Sequence, residues 1–251
     1  ENGVRQMKLS DLVKHISYSS LTCARTDIAY WVAKYGHKLY DPTNAAMARG
    51  LAVEHGLKYC HNGGEFDDPI DEAMKEFNKR TALGVDGEAK QREANNIPGY
   101  FENYADLWDG ELPQIESYQE KITLEIPGVE VPLIGYTDFE FADSVIDIKT
   151  TGRMPSAISA SHRWQGAIYQ QAAGNRKVEF IYLTPKKAAR YLLEDSEQDW
   201  IAVCEAATRL QTFLSAFDDL EHLTSAVIPN YESFYWSNPQ TRKTAQEIFG
   251  F

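Results

Sequence analysis

Two neighbouring segments with the alternating polarity of β-strands each contain an aspartate, and this combination limits what the chain can fold into. LIGYTDFEF contains Asp138, and SVIDIKTT contains Asp147. Strand side chains alternate between the faces of a sheet, so a hairpin turning at Ala142–Asp143 would place both aspartates nearly level on one face. Lys149 follows Asp147 by two residues and shares that face. Because buried carboxylates are costly and two of them repel each other, this arrangement indicates a functional site.

The order of the predicted elements favours an α/β fold. Helical patterns run from about residue 17 to residue 110, and alternating patterns predict strands at 116–126, 131–141 and 144–150. A helix closed by Gly174, two strands around the turn PKKA and a long helix at about 197–223 follow. We therefore predict a central mixed β-sheet flanked by helices, with an N-terminal helical region. The whole of residues 1–251 is expected to form one domain, with a helical part at about 17–110, a sheet-containing catalytic core at about 115–223 and a tail at 224–251.

Two of the N-terminal helices can be placed more closely. Ser19–Ser20 could cap a helix that runs from Leu21 to about Ala33. A second helix is predicted from Asn44 to Cys60, with its apolar positions at Met47, Leu51, Val53 and Leu57.

Composition narrows the classes of function. The formal net charge of −12 argues against a protein whose main task is to coat nucleic acid, although it is compatible with an enzyme that has a small basic groove. Cys23, Cys60 and Cys204 form no C-x-x-C pair, which excludes a recognisable zinc or iron–sulfur framework and suggests the reducing cytoplasm. No apolar run is long enough to span a bilayer, so we expect no membrane partner.

A divalent cation would relieve the repulsion between Asp138 and Asp147. Oxygen ligands completed by water suit Mg²⁺ or Mn²⁺, and Lys149 could hold a water or stabilise a negative transition state. On the following helix, Gln165 and Tyr169 are four residues apart and therefore share one face. Taken alone, an exposed Asp147–Lys149 ion pair is the simpler interpretation. The strand acid before it and the polar helix after it favour a site.

Taken together, GYTDFEF, VIDIKTT and QGAIY resemble the PD-(D/E)XK nuclease superfamily, and within it the RecB-like, phage-type exonuclease branch. Upstream, ARGLAVEHG is similar to the first motif of that family, and SYSSLTCARTDIAYW is similar to its N-terminal helix. The resemblance covers roughly Ser17 to Thr184 and implies a restriction-endonuclease-like core with one or two Mg²⁺ (or Mn²⁺) ions. In combination the motifs are specific, whereas each motif alone is weak.

The resemblance implies a role for each matching residue of the strands. Asp138 and Asp147 would ligate the metal, together with the backbone carbonyl of Ile148. Lys149 would activate or orient the attacking water. On the helix, the two residues that would contact the DNA strand near the cleaved phosphate are Gln165 and Tyr169.

The first motif leaves two candidates for a further metal ligand. Family members commonly place an acid or a histidine four residues after the glycine, which counts from Gly50 to Glu54. The RecB-type members favour histidine, and His55 lies one residue outside that register. We favour Glu54, with His55 as the alternative.

Basic and aromatic residues that could contact a DNA strand lie around the Q-x-x-x-Y helix and on the later hairpin. Backbone tracking needs cations, and bases need surfaces on which to stack. Solvated surface charge is the simpler explanation for most of these residues, and a core position is the simpler one for the tryptophan. The candidates are Arg153, His162, Arg163, Trp164, Lys186, Lys187 and Arg190.

Several relatives carry an iron–sulfur cluster held by four cysteines. Cys23 lies about where the first of those would be, but NYESFYWSNPQTRKT near the C-terminus contains no cysteine. We therefore predict no iron–sulfur cluster, and we expect the aromatic side chains of that segment to fill the space.

The predicted function is a Mg²⁺-dependent DNA exonuclease that hydrolyses phosphodiester bonds from DNA ends, in recombination, repair or phage DNA metabolism. A site-specific or structure-selective endonuclease on the same core is the second candidate, although no separate target-recognition domain is visible. A catalytically inactive DNA- or protein-binding module is the third, and the intact set of candidate catalytic residues argues against it. DNA is the expected partner. A homo-oligomer or a recombination partner protein is compatible with the sequence, which contains no recognisable interface pattern.

Overall fold

The structure is a computed structural model that describes residues 6–61, 67–83, 87–108 and 111–250. The chain divides into two compact units. The first, the sheet unit, contains Pro42–Lys121 and Tyr136–Ser196, and the second, the helical unit, contains Ile122–Gly135 and the described parts of Glu1–Asp41 and Glu197–Phe251. This division does not follow the predicted boundaries near residues 110 and 223, and the single domain over residues 1–251 stays a prediction.

The elements of the described residues are numbered in chain order. The α-helices are α1 (Leu9–Leu12), α2 (Tyr18–Thr26), α3 (Ile28–Trp31), α4 (Ala45–His61), α5 (Asp67–Arg80), α6 (Gly87–Ala105), α7 (Ala160–Ala173), α8 (Glu197–Leu214), α9 (Leu220–Ala226) and α10 (Pro239–Phe249). The strands are β1 (Ser117–Tyr118), β2 (Lys121–Leu124), β3 (Leu133–Tyr136), β4 (Phe139–Glu140), β5 (Ser144–Thr150), β6 (Lys177–Thr184) and β7 (Lys187–Leu192). No helix in these ranges is long and apolar enough to cross a bilayer.

The sheet unit is built on a five-stranded mixed sheet in the order β1-β4-β5-β6-β7. Its single parallel pair is β5 with β6, and α7 connects these two strands. All other neighbours are antiparallel, including the predicted hairpin of β6 and β7. The predicted mixed sheet flanked by helices is therefore confirmed.

Alternation along β5 and β6 gives the sheet two different faces. Ile146, Ile148, Ile181 and Leu183 lie in one core cluster with buried residues of α4, α5 and α6. The residues between them belong to the opposite face, where α7 packs closely enough that a Cβ on Gly166 would lie 2.9 Å from the Phe180 ring. The first face is apolar, whereas the second carries Asp147 and Lys149.

Two of the predicted strands are each divided between two sheets. The first supplies β1 to the five-stranded sheet and β2 to a two-stranded sheet with β3. The second supplies β3 and β4 in the same way. The second predicted strand is interrupted between β3 and β4, and this connection contains Asp138.

The predicted helix from Leu21 to Ala33 is interrupted at Asp27. Helix α2 begins after Ser17, whose hydroxyl accepts the Ser20 backbone N–H at 3.2 Å, so the cap lies two residues before the predicted Ser19–Ser20. Asp27 has an extended backbone and caps α3 by accepting the Tyr30 N–H at 2.9 Å. A side chain that ends one helix and starts the next explains why two short helices replace the predicted long one.

The Asp27 carboxylate also binds the C-terminal part of the helical unit. Its second oxygen accepts hydrogen bonds from the Ser233 hydroxyl at 2.8 Å and from the buried Trp236 indole N–H at 2.9 Å. The rings of Tyr235 and Trp236 pack against Tyr30, with centroids 4.9 and 5.0 Å away. Aromatic side chains of the predicted segment therefore do fill space beside α3, while the absence of an iron–sulfur cluster stays a prediction.

Two further helix predictions need correction. The helix predicted at 197–223 is two helices, α8 and α9, separated by residues 215–219. In α4, Met47 is 55% exposed and Leu51 is 37% exposed, so these two predicted core positions are wrong. The other two predicted positions, Val53 and Leu57, are buried, together with small residues that include Ala48, Ala52 and Gly56.

Candidate active site

The hairpin of β4 and β5 brings the two strand aspartates together. Phe139 pairs with Ile146, and Glu140 pairs with Val145. Continuing this register by one residue places Asp138 level with Asp147, as the alternation predicts. Asp138 Oδ2 accepts the backbone N–H of Ile148 at 2.7 Å, which fixes the carboxylate against β5.

Asp147 lies at the centre of the site and is fully buried. Its Oδ1 accepts hydrogen bonds from Gln165 Nε2 at 2.8 Å and from the Tyr169 hydroxyl at 3.1 Å. Its Oδ2 lies 2.5 Å from Lys149 Nζ, but no hydrogen bond of normal geometry reaches that oxygen from any residue that the structure describes. Asp147 therefore presents one oxygen that is well held and a second that has only an ion-pair contact.

The polar side chains of α7 reach Asp147 because of their helical spacing. Gln165 Nε2 lies 2.6 Å from the Tyr169 hydroxyl, which in turn lies 2.7 Å from the carbonyl oxygen of Tyr136. Gln165 Oε1 is buried and has no hydrogen-bond partner in the described part of the chain. Both helix residues of the predicted set are thus in the site, and Gln165 keeps an unused acceptor there.

Helix α4 supplies the third acid. Glu54 Oε1 accepts a hydrogen bond from Gln119 Nε2 at 2.8 Å, just beyond β1. Burial raises the pKa of Glu54, and the nearby Asp147 charge raises it further, while hydrogen bonds from Gln119 and Tyr118 oppose the shift. His55 lies one residue further along α4, and its ring packs edge-on against Tyr59 at 5.4 Å. The structure thus places Glu54 near Asp147, whereas the ring contact of His55 is with Tyr59, and the choice between them as a metal ligand stays a prediction.

A buried ion pair positions α4 against the end of β5. Arg49 Nη1 lies 2.5 Å from Glu93 Oε2 of α6, and Arg49 Nη2 donates to Thr150 Oγ1 at 3.3 Å. A Cβ on Gly50 would lie 3.1 Å from the same Thr150 oxygen, so glycine allows the close approach of helix and strand. These contacts place Glu54, one turn further along α4, beside the strand acids.

The three acids perturb one another electrostatically. Burial raises the pKa of Asp138 well above its ordinary value, and the charges of Asp147 and Glu54 raise it further. The Lys149 ammonium and the Ile148 N–H oppose this shift only in part. Without a further positive charge, the group therefore favours a bound proton on at least one carboxyl.

The donor set suits an oxygen-coordinated divalent cation. Asp138, Asp147 and Glu54 offer only oxygen atoms, and Asp147 Oδ2 is a buried carboxylate oxygen without a hydrogen bond. A bound cation would replace the proton that their mutual repulsion favours. Within residues 6–61, 67–83, 87–108 and 111–250, no three His, Cys, Asp or Glu side chains form a ready-made coordination shell. The residues fit such an ion in chemistry, although Asp138 Oδ2, Asp147 Oδ1 and Glu54 Oε1 each accept a hydrogen bond from the protein.

The predicted DNA-contact residues have different surroundings. Arg153 is exposed in the loop between β5 and α7, and Lys186 and Lys187 are exposed in the β6–β7 turn. All three lie at the end of the sheet where the parallel strands β5 and β6 both finish. Arg163 Nη2 donates to the carbonyl oxygens of Glu194 and Asp195, so it holds the chain that leaves β7. DNA contacts by these four cations stay predictions.

Two other DNA-contact candidates lie within the fold. Trp164 is only 7% exposed, which favours the core position, and a DNA contact by its ring stays a prediction. Arg190 pairs with Glu179 and lies over the Trp108 ring, 4.8 Å from its centroid. Both side chains therefore stabilise the sheet unit.

Sequence reasoning missed the residues that support the site from neighbouring elements. Tyr118 and Gln119 bond Glu54, but only the strand order, which places β1 beside β4, brings them there. The sequence predicts His162 only as a contact to a DNA strand, yet its imidazole lies near Lys149 and Asp147. Its spacing of three residues before Gln165 is the one signal that could have placed it in the site.

No protein-family model matches the chain, and no curated protein matches it by sequence. Among solved structures, the chain is similar to a crystal structure from Eubacterium rectale described as a "putative exonuclease". The TM-score is 0.53 at 11% identity, over 86% of this chain and 84% of that chain. A second structure, of a protein called SSO0001, has a TM-score of 0.33 at 14% identity, over 73% of this chain and 85% of that one, and this likeness is too weak to support an argument. At 11% identity the first likeness shows the fold alone, which is a mixed α/β fold shared with that structure.

Proposed function

We propose that this chain is a divalent-metal-dependent deoxyribonuclease of the PD-(D/E)XK type that removes nucleotides from DNA ends. The observation that carries the proposal is the meeting of Asp138, Asp147 and Lys149 on one sheet face, with Gln165 and Tyr169 bonded to Asp147. The nuclease-like fold supports a hydrolase of nucleic acid. The arrangement of charged residues supports the cleavage of a phosphodiester, which is a negatively charged group.

Each residue of the site would have a separate task. Asp138, Asp147 and Glu54, together with the Ile148 carbonyl, would hold one or two Mg²⁺ or Mn²⁺ ions. When bound, such an ion neutralises phosphate charge and lowers the pKa of a water. The Lys149 ammonium, held beside Asp147 Oδ2, would orient the attacking water and stabilise the charge that develops on the phosphate.

The α7 residues would act on Asp147 and on the strand. Gln165 and the Tyr169 hydroxyl hold Asp147 Oδ1, which leaves Oδ2 to face Lys149 and a cation. Gln165 Oε1 is buried without a partner and would accept a hydrogen bond from a water or a nucleotide near the cleaved bond. The exposed Arg153, Lys186 and Lys187 would bind phosphates further along the DNA.

The decisive experiment compares end-labelled linear DNA with covalently closed circular DNA, each with Mg²⁺ or with chelator. An exonuclease degrades only the linear DNA and only with metal. Cutting of circles would instead support a structure-selective or site-specific endonuclease on the same core. If neither substrate changes with Mg²⁺ or Mn²⁺, the chain is not a nuclease.

Lys149→Ala tests the assignment of residues. We expect cleavage to fall by at least about 100-fold, because the ammonium stabilises charge that develops in the transition state. DNA binding measured in Ca²⁺ should be largely retained. Lys90→Ala is the matched control, since Lys90 follows an acid by two residues in α6, as Lys149 does in β5. Full activity of Lys149→Ala would remove this lysine from the mechanism.

A further inference from the structure

His162 begins the polar face of α7 that looks onto the candidate active site. It precedes Gln165 by three residues, so the two side chains share one side of the helix. Its imidazole is nearly parallel to the Phe180 ring, with an interplanar angle of 13° and centroids 6.0 Å apart. Nδ1 lies 2.7 Å from the Tyr182 hydroxyl. In the parallel register of β5 and β6, Tyr182 is the partner of Lys149, so His162 lies over the strand position that carries the lysine.

The surroundings of Tyr182 set the direction of its hydrogen bond to His162. Burial raises the pKa of Tyr182, and the backbone and side chain of Ser159 oppose that shift, as donors near the phenol oxygen do. With such donors near its oxygen, the phenol can give its own proton to the His162 ring. Nδ1 is then the acceptor of that proton, which leaves the ring proton of a neutral imidazole on Nε2.

The imidazole is held neutral by its position. Burial and the Lys149 ammonium lower the pKa of His162 to about 4, and the Asp147 charge opposes this shift. Other described groups that bear on the ring are uncharged, namely Tyr182 and Phe180. Near pH 7 the ring is therefore a neutral donor that adds no second positive charge beside Lys149.

The Nε2–H group has no hydrogen-bond partner within the described residues, and the side chain is only half-buried. We propose that His162 is a strand-contacting residue whose Nε2–H donates a hydrogen bond to a non-bridging oxygen of a DNA phosphodiester next to Lys149. This proposal rests on the proposed function. A neutral donor suits this place, because it can contact phosphate without repelling either the ammonium or a divalent cation.

The tautomer can be measured without DNA and without metal. Long-range proton–nitrogen NMR spectra of the ¹⁵N-labelled full chain at pH 7 distinguish the two neutral tautomers and the imidazolium, and His162→Gln identifies the signal among the six histidines. We expect the Nε2–H form, and Tyr182→Phe should convert it to a mixture of tautomers. A charged ring or an Nδ1–H form in the wild-type chain would overturn the proposal.

Binding of a fluorescein-labelled single-stranded oligonucleotide in Ca²⁺ tests the phosphate contact. A hydrogen bond to a charged group is worth about tenfold or more in affinity, so His162→Leu should weaken binding by about that factor. Gln can present an amide N–H near the Nε2 position, whereas Asn can replace only the Nδ1 side. We therefore expect His162→Gln to bind more tightly than His162→Asn.

Controls separate the contact from a structural role and from the proposed function. If His162 only fills space beside Tyr182, His162→Asn should bind DNA as tightly as His162→Gln or more tightly. This order of affinities would overturn the proposal. His222→Leu, on the exposed face of α9, should bind DNA as the wild type does. If the wild type binds no oligonucleotide, the proposed function and the phosphate contact both fail, while the NMR result still decides the tautomer. If the wild type binds the oligonucleotide and the His162 variants bind it equally tightly, the phosphate contact fails and the nuclease proposal stands.

Discussion

Asp138→Asn should change how the stability of the metal-free protein depends on pH. Burial, Asp147 and Glu54 raise the pKa of Asp138 in the folded state, whereas an unfolded aspartate loses its proton near pH 4. Between those two pKa values the folded protein holds a proton that the unfolded chain releases. The free energy of unfolding must therefore fall as pH rises through this window.

The size of the effect follows from proton linkage. One proton held only by the folded state lowers the free energy of unfolding by about 1.4 kcal/mol for each pH unit. Asparagine carries no ionisable group and keeps an oxygen that can accept the Ile148 N–H. The stability of Asp138→Asn relative to the wild type should thus rise by about 1.4 kcal/mol per pH unit above pH 4, until the folded-state pKa is passed.

Denaturant unfolding with chelator, at several values from pH 4.5 to pH 7.5, measures this difference. Asp143→Asn is the matched control, because Asp143 is exposed in the same β4–β5 turn and should give a difference that is flat with pH. Mg²⁺ at neutral pH should stabilise the wild type more than Asp138→Asn. A stability difference that is flat or falls with pH would refute the mutual repulsion of the three acids, and with it the reason to expect a cation among them.

Three other substitutions test the supporting structure. Arg49→Met should cost about 3 kcal/mol in denaturant unfolding, because the buried Glu93 would keep only the more distant, exposed Arg92, 3.5 Å away. Adding Glu93→Met should recover most of this loss, and no recovery would contradict the ion-pair account. Gly56→Ala should lower the free energy of unfolding by about 1–3 kcal/mol, because its Cβ would lie 2.5 Å from the backbone oxygen of Pro69 in α5. An unchanged melting temperature would show that α4 and α5 can move apart. Tyr169→Phe should lower the cleavage rate about tenfold with less than about 1 kcal/mol lost in stability, because Gln165 still donates to Asp147; an unchanged rate would limit the tyrosine to packing.

The parts of the site that depend on local chain geometry could be predicted from the sequence. A short turn fixes the register of the β4–β5 hairpin, so alternation alone places Asp138 level with Asp147. Helical spacing likewise places Gln165 and Tyr169 on one face of α7. The side chains that reach Glu54 from β1 depend on strand order, which pattern alone does not reveal.

The helices show why burial was predicted less well. The prediction for α4 counted large apolar residues, but close packing of helices selects small ones, and Gly56 allows the Phe101 ring to come within 2.6 Å of where a Cβ would lie. Met47 and Leu51 are consequently left outside. The break between α2 and α3 has a similar cause, because Asp27 is held by partners more than 200 residues later in the chain.

The three donors around the Asp27 carboxylate become available at different times during synthesis of the chain. Tyr30 follows Asp27 by three residues, but Ser233 and Trp236 are synthesised more than 200 residues after it. The sheet unit is complete in the chain at Ser196. The helical unit combines a segment before residue 42 with a segment after residue 196, so its first segment is synthesised long before the segment that packs against it. During that interval the Tyr30 ring lacks the rings of Tyr235 and Trp236, which pack against it in the folded unit.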